Sequence, residues 1–220
     1  MDNPMETGGI MELKSKQIYM EKETAFRLLD CHKDNPLYEE MERSYEALLG
    51  DIRKLCRPRG RLEFAKAADL LLENDYPKDA VFAMVLYTIG DKISERINNL
   101  FEENSYFDAM LLDAMADSCL FSMEEEWRNV LVKECRKRNF GIAKRLEAPV
   151  DYSMNTQKRI WEIVRGDDIG ISLTSGLMFN PVKTICVLFL LSGDLCQDNM
   201  NHDCSRCINT ECRLRKLENE

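Results

Sequence analysis

The chain has 220 residues, of which 45% are hydrophobic and 31% are charged, a balance that supports one domain with a substantial core. Its net charge of -9 argues against sequence-independent binding to nucleic acid, which requires clustered lysine and arginine. The longest apolar run, Ile185 to Leu191, is too short to span a bilayer, and the N-terminus lacks the apolar region of a signal peptide. We therefore expect a cytoplasmic protein that binds neither nucleic acid nor membranes.

The N-terminal third predicts one clear helix and one ambiguous segment. Residues 1–15 combine glycine, asparagine, proline and charged residues, so we expect a disordered N-terminus. Apolar residues at helical spacing predict a helix from Leu37 to Cys56, which Pro58 and Gly60 end. The segment from Arg61 to Leu72 begins with alternation and continues with a helical pattern, so it is compatible with either structure.

The middle of the chain predicts a buried strand followed by three helices. Continuous apolar, β-branched and aromatic residues from Val81 to Gly90 are typical of a strand that is covered on both faces. Apolar residues between Ile93 and Phe101 predict the next helix. Two further helices are expected, from Tyr106 to Leu120 and from Ser122 to Arg138, because Ser122-x-x-Glu125 has the pattern of a capping box.

The last part of the chain predicts a loop, a short helix and two strands. The loop is expected from Ala148 to Asn155 and the helix from Gln157 to Gly166. Strands are expected from Ile169 to Phe179 and from Thr184 to Ser192, with the turn-forming pair Asn180-Pro181 between them. A connection this short implies an antiparallel hairpin.

Together these elements predict the α+β class, with an antiparallel sheet flanked by helices. The sheet is expected to consist of the first strand and the late hairpin. We expect residues 16–80 and 81–195 to belong to one domain, the first range forming its N-terminal helical and strand region and the second its core. Residues 196–220 are expected to form a cysteine-rich tail.

Four cysteines near the C-terminus form the densest cluster of metal-ligating residues in the chain. The last three have the spacing C-x2-C-x4-C, and thiolates this close can converge on one soft metal centre. A zinc site, an iron–sulfur cluster and a set of free thiols all remain open, and His202 is an alternative to Cys196 as fourth ligand. The other five cysteines are expected to be small buried hydrophobic residues. The expected metal ligands are Cys196, Cys204, Cys207 and Cys212.

Two further segments are candidates for ligand binding. Gly176 lies in an expected strand among the residues Thr174 to Met178, a pattern that fits either close approach of a ligand or a kink needed for packing. The loop from Arg145 to Asn155 carries Tyr152 and Met154 between polar residues. The chain lacks the G-x-S-x-G, Walker A, G-x-G-x-x-G and H-E-x-x-H motifs, and its two histidines give little support to a histidine-based triad.

The order of these segments resembles a known family. Four stretches carry the resemblance and together cover roughly Val81 to Arg215: VLYTIGDKISERINNLFEENSYFDAMLLDAMADSCL, APVDYSMNTQKRIWEIV, IGISLTSGLMFNPVKTICVLFLLSG and CSRCINTECRLR. They are similar to the activation-domain superfamily of vitamin B12-dependent methionine synthase, in its stand-alone form from anaerobic bacteria. The strongest elements are Thr88-Ile89-Gly90-Asp91, Leu173-Thr174 with Met178, and Pro181-x-Lys183.

The resemblance implies a C-shaped α+β fold with a bent antiparallel sheet, and it implies work on a corrinoid. It predicts a protein that binds cobalamin, or a corrinoid protein, in order to activate, deliver or store the cofactor, and it favours a binding or activating protein over an enzyme. The cysteines then form an accessory metal site. The residues expected to bind the cofactor are Arg145, Tyr152, Ser153, Met154, Asn155, Thr174, Ser175, Gly176, Leu177 and Met178.

Two alternatives remain open from the same resemblance. The methionine synthase domain binds S-adenosylmethionine through a segment of the form R-x-x-x-G-Y-P-A-C. The matching segment, Arg145 to Ser153, lacks the glycine before Tyr152 and the proline after it. An S-adenosylmethionine-binding module is therefore the first alternative. The second is a reductive activase that passes electrons to cobalt from an iron–sulfur cluster at the four cysteines. The sequence leaves the oligomeric state open, a homodimer included.

Overall fold

The fold is built from both helices and strands. The structure is a computed structural model that describes residues 11–13, 18–72 and 76–215. Its strands are β1 (Met11–Leu13), β2 (Arg59–Lys66), β3 (Val81–Thr88), β4 (Gly141–Leu146), β5 (Ser172–Leu173), β6 (Phe179–Asn180) and β7 (Thr184–Ser192). Its helices are α1 (Lys22–Leu28), α2 (Tyr38–Leu55), α3 (Ala67–Leu70), α4 (Lys92–Glu102), α5 (Tyr106–Lys137) and α6 (Met154–Ile163), and a 3-10 turn spans Gly166–Ile169.

Five strands form one antiparallel sheet in the order β1-β2-β3-β7-β4, while β5 and β6 form a separate pair. The predicted α+β class, an antiparallel sheet flanked by helices, is confirmed. Helices α1, α2, α4 and α5 pack on one face of the sheet, and α3 and α6 pack on the other. None of the described helices combines the length and the apolar character needed to cross a membrane.

The central strand β3 is buried on both faces because helices cover the sheet from both sides. Its alternate side chains point to opposite faces, as the period of two in a strand requires. This arrangement explains why the sequence of β3 is continuously apolar, and it confirms the strand predicted from Val81. The side chains that pack towards α5 are those of Ala83, Val85 and Tyr87. The side chains that pack towards α6 are those of Phe82, Met84 and Leu86.

The predicted hairpin between residues 169–179 and 184–192 is wrong. Strand β7 pairs with β3 on one side and with β4 on the other, so it is a central strand rather than half of a hairpin. Only Ser172–Leu173 and Phe179–Asn180 pair with each other in the earlier segment. The apolar content of β7 on both faces is what a central position demands. Its second neighbour is β4, a strand that no sequence pattern predicted.

The two helices predicted between Tyr106 and Arg138 are one continuous helix, α5. The expected capping residue Ser122 lies inside this helix, where its Oγ donates a hydrogen bond of 2.9 Å to Ser118 O, one turn earlier. A serine in a helix interior commonly makes this bond, so the capping-box pattern predicted a boundary that does not exist.

The N-terminal region agrees with its predictions where they were definite. Helix α2 occupies the predicted range, and the ambiguous segment from Arg61 consists of most of β2 followed by the single turn α3. No range was predicted for the short helix α1. Of the N-terminus expected to be disordered, the structure describes residues 11–13, which form β1, and the rest of residues 1–15 lies outside the described residues.

Gly166 offers a test of the packing around α6, and Gly50 in α2 offers its control. A Cβ at Gly166 would overlap the ring of Trp161 and lie 2.9 Å from Leu86 Cδ2, whereas nothing lies within 4 Å of a Cβ at Gly50 inside α2. We expect Gly166→Ala to lower the free energy of unfolding by about 1–3 kcal/mol, because the site has no room for the added carbon. Gly50→Ala should raise it by about 0.5–1 kcal/mol, because alanine favours the helix. Urea denaturation measures both, and equal effects would contradict the packing described.

Candidate functional site

The segment predicted as a loop from Ala148 to Asn155 ends in the first turn of α6. Ser153 is the N-cap of this helix, and its Oγ accepts a hydrogen bond of 3.4 Å from Thr156 N. Met154 begins the helix at intermediate exposure, and Asn155 is exposed. Because the first N–H groups of a helix have no carbonyl partner within it, this turn presents hydrogen-bond donors to whatever lies in front of it.

The segment Thr174 to Met178 is a tight turn between β5 and β6 rather than part of a long strand. Thr174 N donates to Met178 O (2.9 Å) and Met178 N donates to Thr174 Oγ1 (3.1 Å), which closes the turn. Leu177 has a φ of 62°, in the left-handed region. The turn is therefore held by its own hydrogen bonds, with Ser175 and Gly176 exposed at its tip.

The structure brings these two predicted segments together at the start of α6. Gln157 Nε2 donates to Leu177 O (3.0 Å), and Thr156 Oγ1 donates to Leu71 O (3.1 Å), so the turn and the end of α3 flank the helix. We call Leu71, Ser153–Asn155 and Thr174–Met178 the α6 rim. It combines polar groups with two large apolar side chains that are unusually exposed, Leu71 at 66% and Met178 at 61%.

Two residues of the site were not predicted: Leu71, which belongs to the α6 rim, and Gln157, which holds the rim's turn to α6. Leu71 ends α3 with a φ of 55°, a conformation that a leucine rarely adopts, and no sequence pattern indicates it. Gln157 is buried and connects α6 to the turn, although its position in an amphipathic helix gives no sign of that role.

Tyr152, expected at the cofactor face, is buried instead. Its side chain belongs to the core between the sheet and α6, and its hydroxyl lies 3.5 Å from Cys186 O. It therefore supports the rim from beneath rather than forming part of its surface. Burial, with smaller contributions from Cys186 and Glu147, raises the pKa of Tyr152 well above its ordinary value.

Alkaline pH should destabilise the protein through its buried tyrosines. Burial, together with Glu124, also raises the pKa of Tyr87 well above its ordinary value. Both residues stay neutral in the folded state above pH 10, where the unfolded chain ionises, so the stability they contribute is complete below pH 10 and is lost as pH rises further. Above pH 10, each of the two tyrosines should lower the free energy of unfolding by about 1.4 kcal/mol per pH unit. The variant Tyr87→Phe/Tyr152→Phe should show a shallower loss between pH 10 and 11 in urea denaturation than exposed Tyr106→Phe, and equal slopes would contradict this.

Arg145, expected to bind the cofactor, is the centre of an ion-pair network. Its guanidinium contacts both carboxylate oxygens of Glu124 on α5, donates to Glu147 and donates to Met200 O at 3.1 Å. The side chain is only 9% exposed. Burial alone would lower the pKa of Arg145, but the hydrogen bonds and charges of Glu124 and Glu147 outweigh it and raise that pKa. All three nitrogens of the guanidinium are thus occupied by groups of the chain itself.

The segments Thr88–Asp91 and Pro181–Lys183, which carried part of the resemblance but were given no role, meet at the start of β7. Lys183 O accepts hydrogen bonds from Thr88 Oγ1 (2.9 Å) and from Ile89 N (3.3 Å). The buried ammonium of Lys183 lies 2.8 Å from Asp113 Oδ1 and 2.6 Å from Asp117 Oδ1 on α5. Burial raises the pKa of Asp117, and Lys183 opposes that shift. These contacts join the ends of β3 and β7 to α5, which is a structural role.

Four of the five scattered cysteines are buried, as the sequence indicated, and no metal centre is formed by the described residues. Cys31, Cys56, Cys119 and Cys135 are buried, and Cys186 is half-buried. Cys196 is exposed, and the three cysteines after it are half-buried. In residues 18–72 and 76–215, no three histidine, cysteine, aspartate or glutamate side chains are grouped closely enough to hold a metal ion.

The comparisons with known proteins identify the fold. No protein-family model and no curated protein sequence matches the chain. Among solved structures, the MetH reactivation domain bound to AdoHcy matches with a TM-score of 0.63 and 11% sequence identity, over 84% of this chain and 79% of that one. At this identity the match concerns the backbone, and the residues of the α6 rim are not compared by it. The chain therefore has the fold of the MetH reactivation domain.

Proposed function

We propose that the protein binds a corrinoid at the α6 rim and activates, delivers or stores that cofactor. The observation that carries the proposal is the fold shared with a reactivation domain over most of both chains. The rim supports it, because it presents exposed apolar side chains beside hydrogen-bond donors. Binding rather than turnover is the proposed role.

The chemistry of the rim suits a corrinoid. A corrin ring is a wide apolar macrocycle that carries amide groups at its edge. Leu71 and Met178 offer apolar contact to such a ring, while Ser153, Asn155 and Thr174 offer hydrogen bonds to the amides. Preference for one state of the cofactor, such as cobalt without its lower axial base, would let binding energy shift the cofactor towards that state.

The ligand is either free cobalamin or a corrinoid carried by another protein. An exposed rim rather than a deep pocket fits both, since Leu71 and Met178 are each more than half exposed. A partner domain that carries the corrinoid would bring the macrocycle to the rim and bury the same two side chains.

Spectroscopy with two free corrinoids tests the proposal. The purified chain is mixed with hydroxocobalamin, reduced to cob(II)alamin, and with cobinamide, which lacks the lower base. We expect both to co-elute with the protein in gel filtration, and we expect the visible spectrum of cob(II)alamin to shift towards that of cobinamide. If neither co-elutes and neither spectrum changes with protein in excess, binding of a free corrinoid by this chain is wrong.

A second candidate is binding of S-adenosylmethionine or AdoHcy, which is favoured by the AdoHcy bound to the structural neighbour. The state of Arg145 argues against it, because Glu124, Glu147 and Met200 O already occupy the guanidinium of the residue that matches the arginine of the S-adenosylmethionine segment. Calorimetry with each compound distinguishes the candidates. The proposal expects no heat of binding, and a saturable signal would favour the second candidate.

A further inference from the structure

The chain after β7 runs alongside β4 in the same direction. We call residues 194–215 the C-terminal segment. Its backbone forms a parallel bridge between Asp198 and Ile142. Further contacts follow in order along both segments: Arg145 donates to Met200 O, His202 Nδ1 lies 2.8 Å from Glu147 Oε2, and Arg206 Nη2 lies 2.6 Å from Asp151 Oδ1. The two segments therefore keep one register from the start of β4 to the loop beyond its end.

This register separates Cys196 from His202 and from the first cysteines of the C-x2-C-x4-C motif. Cys196 precedes Gln197, whose carbonyl accepts a hydrogen bond from Ile142 N at the start of β4. His202 lies beside Glu147, five residues further along. Five residues of strand span about 16 Å. Two sulfurs on one zinc ion lie less than about 4.6 Å apart, because each Zn–S bond is about 2.3 Å long.

The position of Cys196 is also fixed by packing. Its turn is closed by hydrogen bonds from Cys196 N to Asp194 Oδ1 (3.0 Å) and from Gln197 N to Asp194 O (3.3 Å). The turn lies so close to Gly141 that an added Cβ there would overlap Asp194 O. Cys196 is thus held at the start of β4, whereas Arg206, between Cys204 and Cys207, lies beside Asp151 beyond the end of that strand.

The residues from Asp203 to Arg215 form successive turns without a core of their own. Asp203 Oδ1 accepts from Ser205 N (3.0 Å) and Ser205 Oγ (2.6 Å), and Arg215 N donates to Cys212 O (3.1 Å). No side chain of this stretch is fully buried, and Ile208 is 72% exposed. Short segments that bury so little apolar surface commonly take their stability from a bound metal.

His202 is oriented as a zinc-binding histidine usually is. A carboxylate accepts, so Nδ1 is the donor in the 2.8 Å contact with Glu147 Oε2, and in the neutral imidazole Nε2 then carries the lone pair that can bind a metal. Histidines that bind zinc commonly donate their other ring nitrogen to a carboxylate in this way. Glu147 is itself held by Arg145, so the imidazole is anchored through the network to the core.

We propose that Cys204, Cys207, Cys212 and His202 Nε2 bind one Zn²⁺ ion and that Cys196 is not a ligand. Three thiolates and one imidazole form a tetrahedral set of the kind found in structural zinc sites. In the structure no three of these side chains stand at metal-binding distance. Binding would draw the turns of the C-terminal segment together onto the imidazole that Glu147 positions. The proposal does not depend on corrinoid binding.

Metal analysis of full-length variants tests this set. Purified under reducing conditions with Zn²⁺, the natural protein and Cys196→Ser should each retain about one zinc per chain. Cys204→Ser, Cys207→Ser and Cys212→Ser should lose it. His202→Ala and Glu147→Gln should weaken affinity by about 10- to 100-fold in a chelator titration. Circular dichroism checks that each variant is folded, and Cys196→Ser is the matched control.

The optical and X-ray absorption of the bound metal identify its ligands directly. Co²⁺ added to the natural protein should give the spectrum of a tetrahedral site with thiolate charge-transfer bands, and X-ray absorption of the zinc form should count three sulfurs and one nitrogen. Four sulfurs with zinc lost in Cys196→Ser, iron with acid-labile sulfide, or no retained metal would each overturn the proposal. The iron result would instead support the reductive activase.

Discussion

Replacing Arg145 with methionine should lower the free energy of unfolding by roughly 3 kcal/mol and loosen the C-terminal segment from β4. The guanidinium is almost fully buried and neutralises Glu124 and Glu147, which are each about a third exposed or less. Removing it leaves two carboxylates close together with their charges uncompensated, and loss of one partner from a buried ion pair is strongly destabilising. Met200 O loses its donor in the same substitution.

Arg96→Met is the matched control for this prediction. Arg96 also pairs with two carboxylates, Asp51 and Glu103, but it is 32% exposed, so its loss should cost no more than about 1 kcal/mol. Urea denaturation measures both variants. Trypsin cleavage after Arg206 should be faster in Arg145→Met under native conditions, because the segment opens more often. Similar losses of stability in the two variants, with unchanged cleavage, would show that Arg145 does not hold the segment.

The elements that the sequence predicted well are those whose pattern is local. Helix α2 carries its own helical periodicity and strand β3 a continuous apolar run, so their burial follows from their residues alone. The prediction of two helices in place of α5 was wrong, because a capping-box pattern inside a long helix looks the same as one at its start. The hairpin failed for a different reason: the partner of β7 is chosen by the whole sheet, and β4 lies more than forty residues away in the chain.

The candidate site was predicted in pieces. Residues 153–155 and 174–178 were identified as separate segments, and the structure joins them through Gln157. Leu71 comes from α3, far away in sequence, so no local pattern assigns it to the site. Tyr152 was placed on the surface because an aromatic residue in a polar loop fits either location, and the core beneath α6 decides between them. Arg145 was selected by resemblance, whereas its two carboxylate partners became visible only through the fold.

Met178→Asp should weaken corrinoid binding by about 10- to 100-fold, provided that the proposed function is correct. Met178 is 61% exposed in the turn of the α6 rim, and a macrocycle resting there would bury it. Burying one such side chain contributes about 1.5–3 kcal/mol, and a carboxylate in its place would also lose hydration. Since 1.4 kcal/mol is tenfold in Kd, the expected weakening follows.

Met110→Asp gives this prediction a control of the same chemistry. Met110 is 53% exposed on α5, which packs on the opposite face of the sheet from α6. Both substitutions replace an exposed methionine with an aspartate, so both should leave thermal stability nearly unchanged. A titration of cob(II)alamin followed by visible absorption should find Kd raised in Met178→Asp and within about twofold of the natural value in Met110→Asp. Equal weakening in both variants would point to a charge effect at long range, and weakening in Met110→Asp alone would move the corrinoid to the α5 side of the sheet.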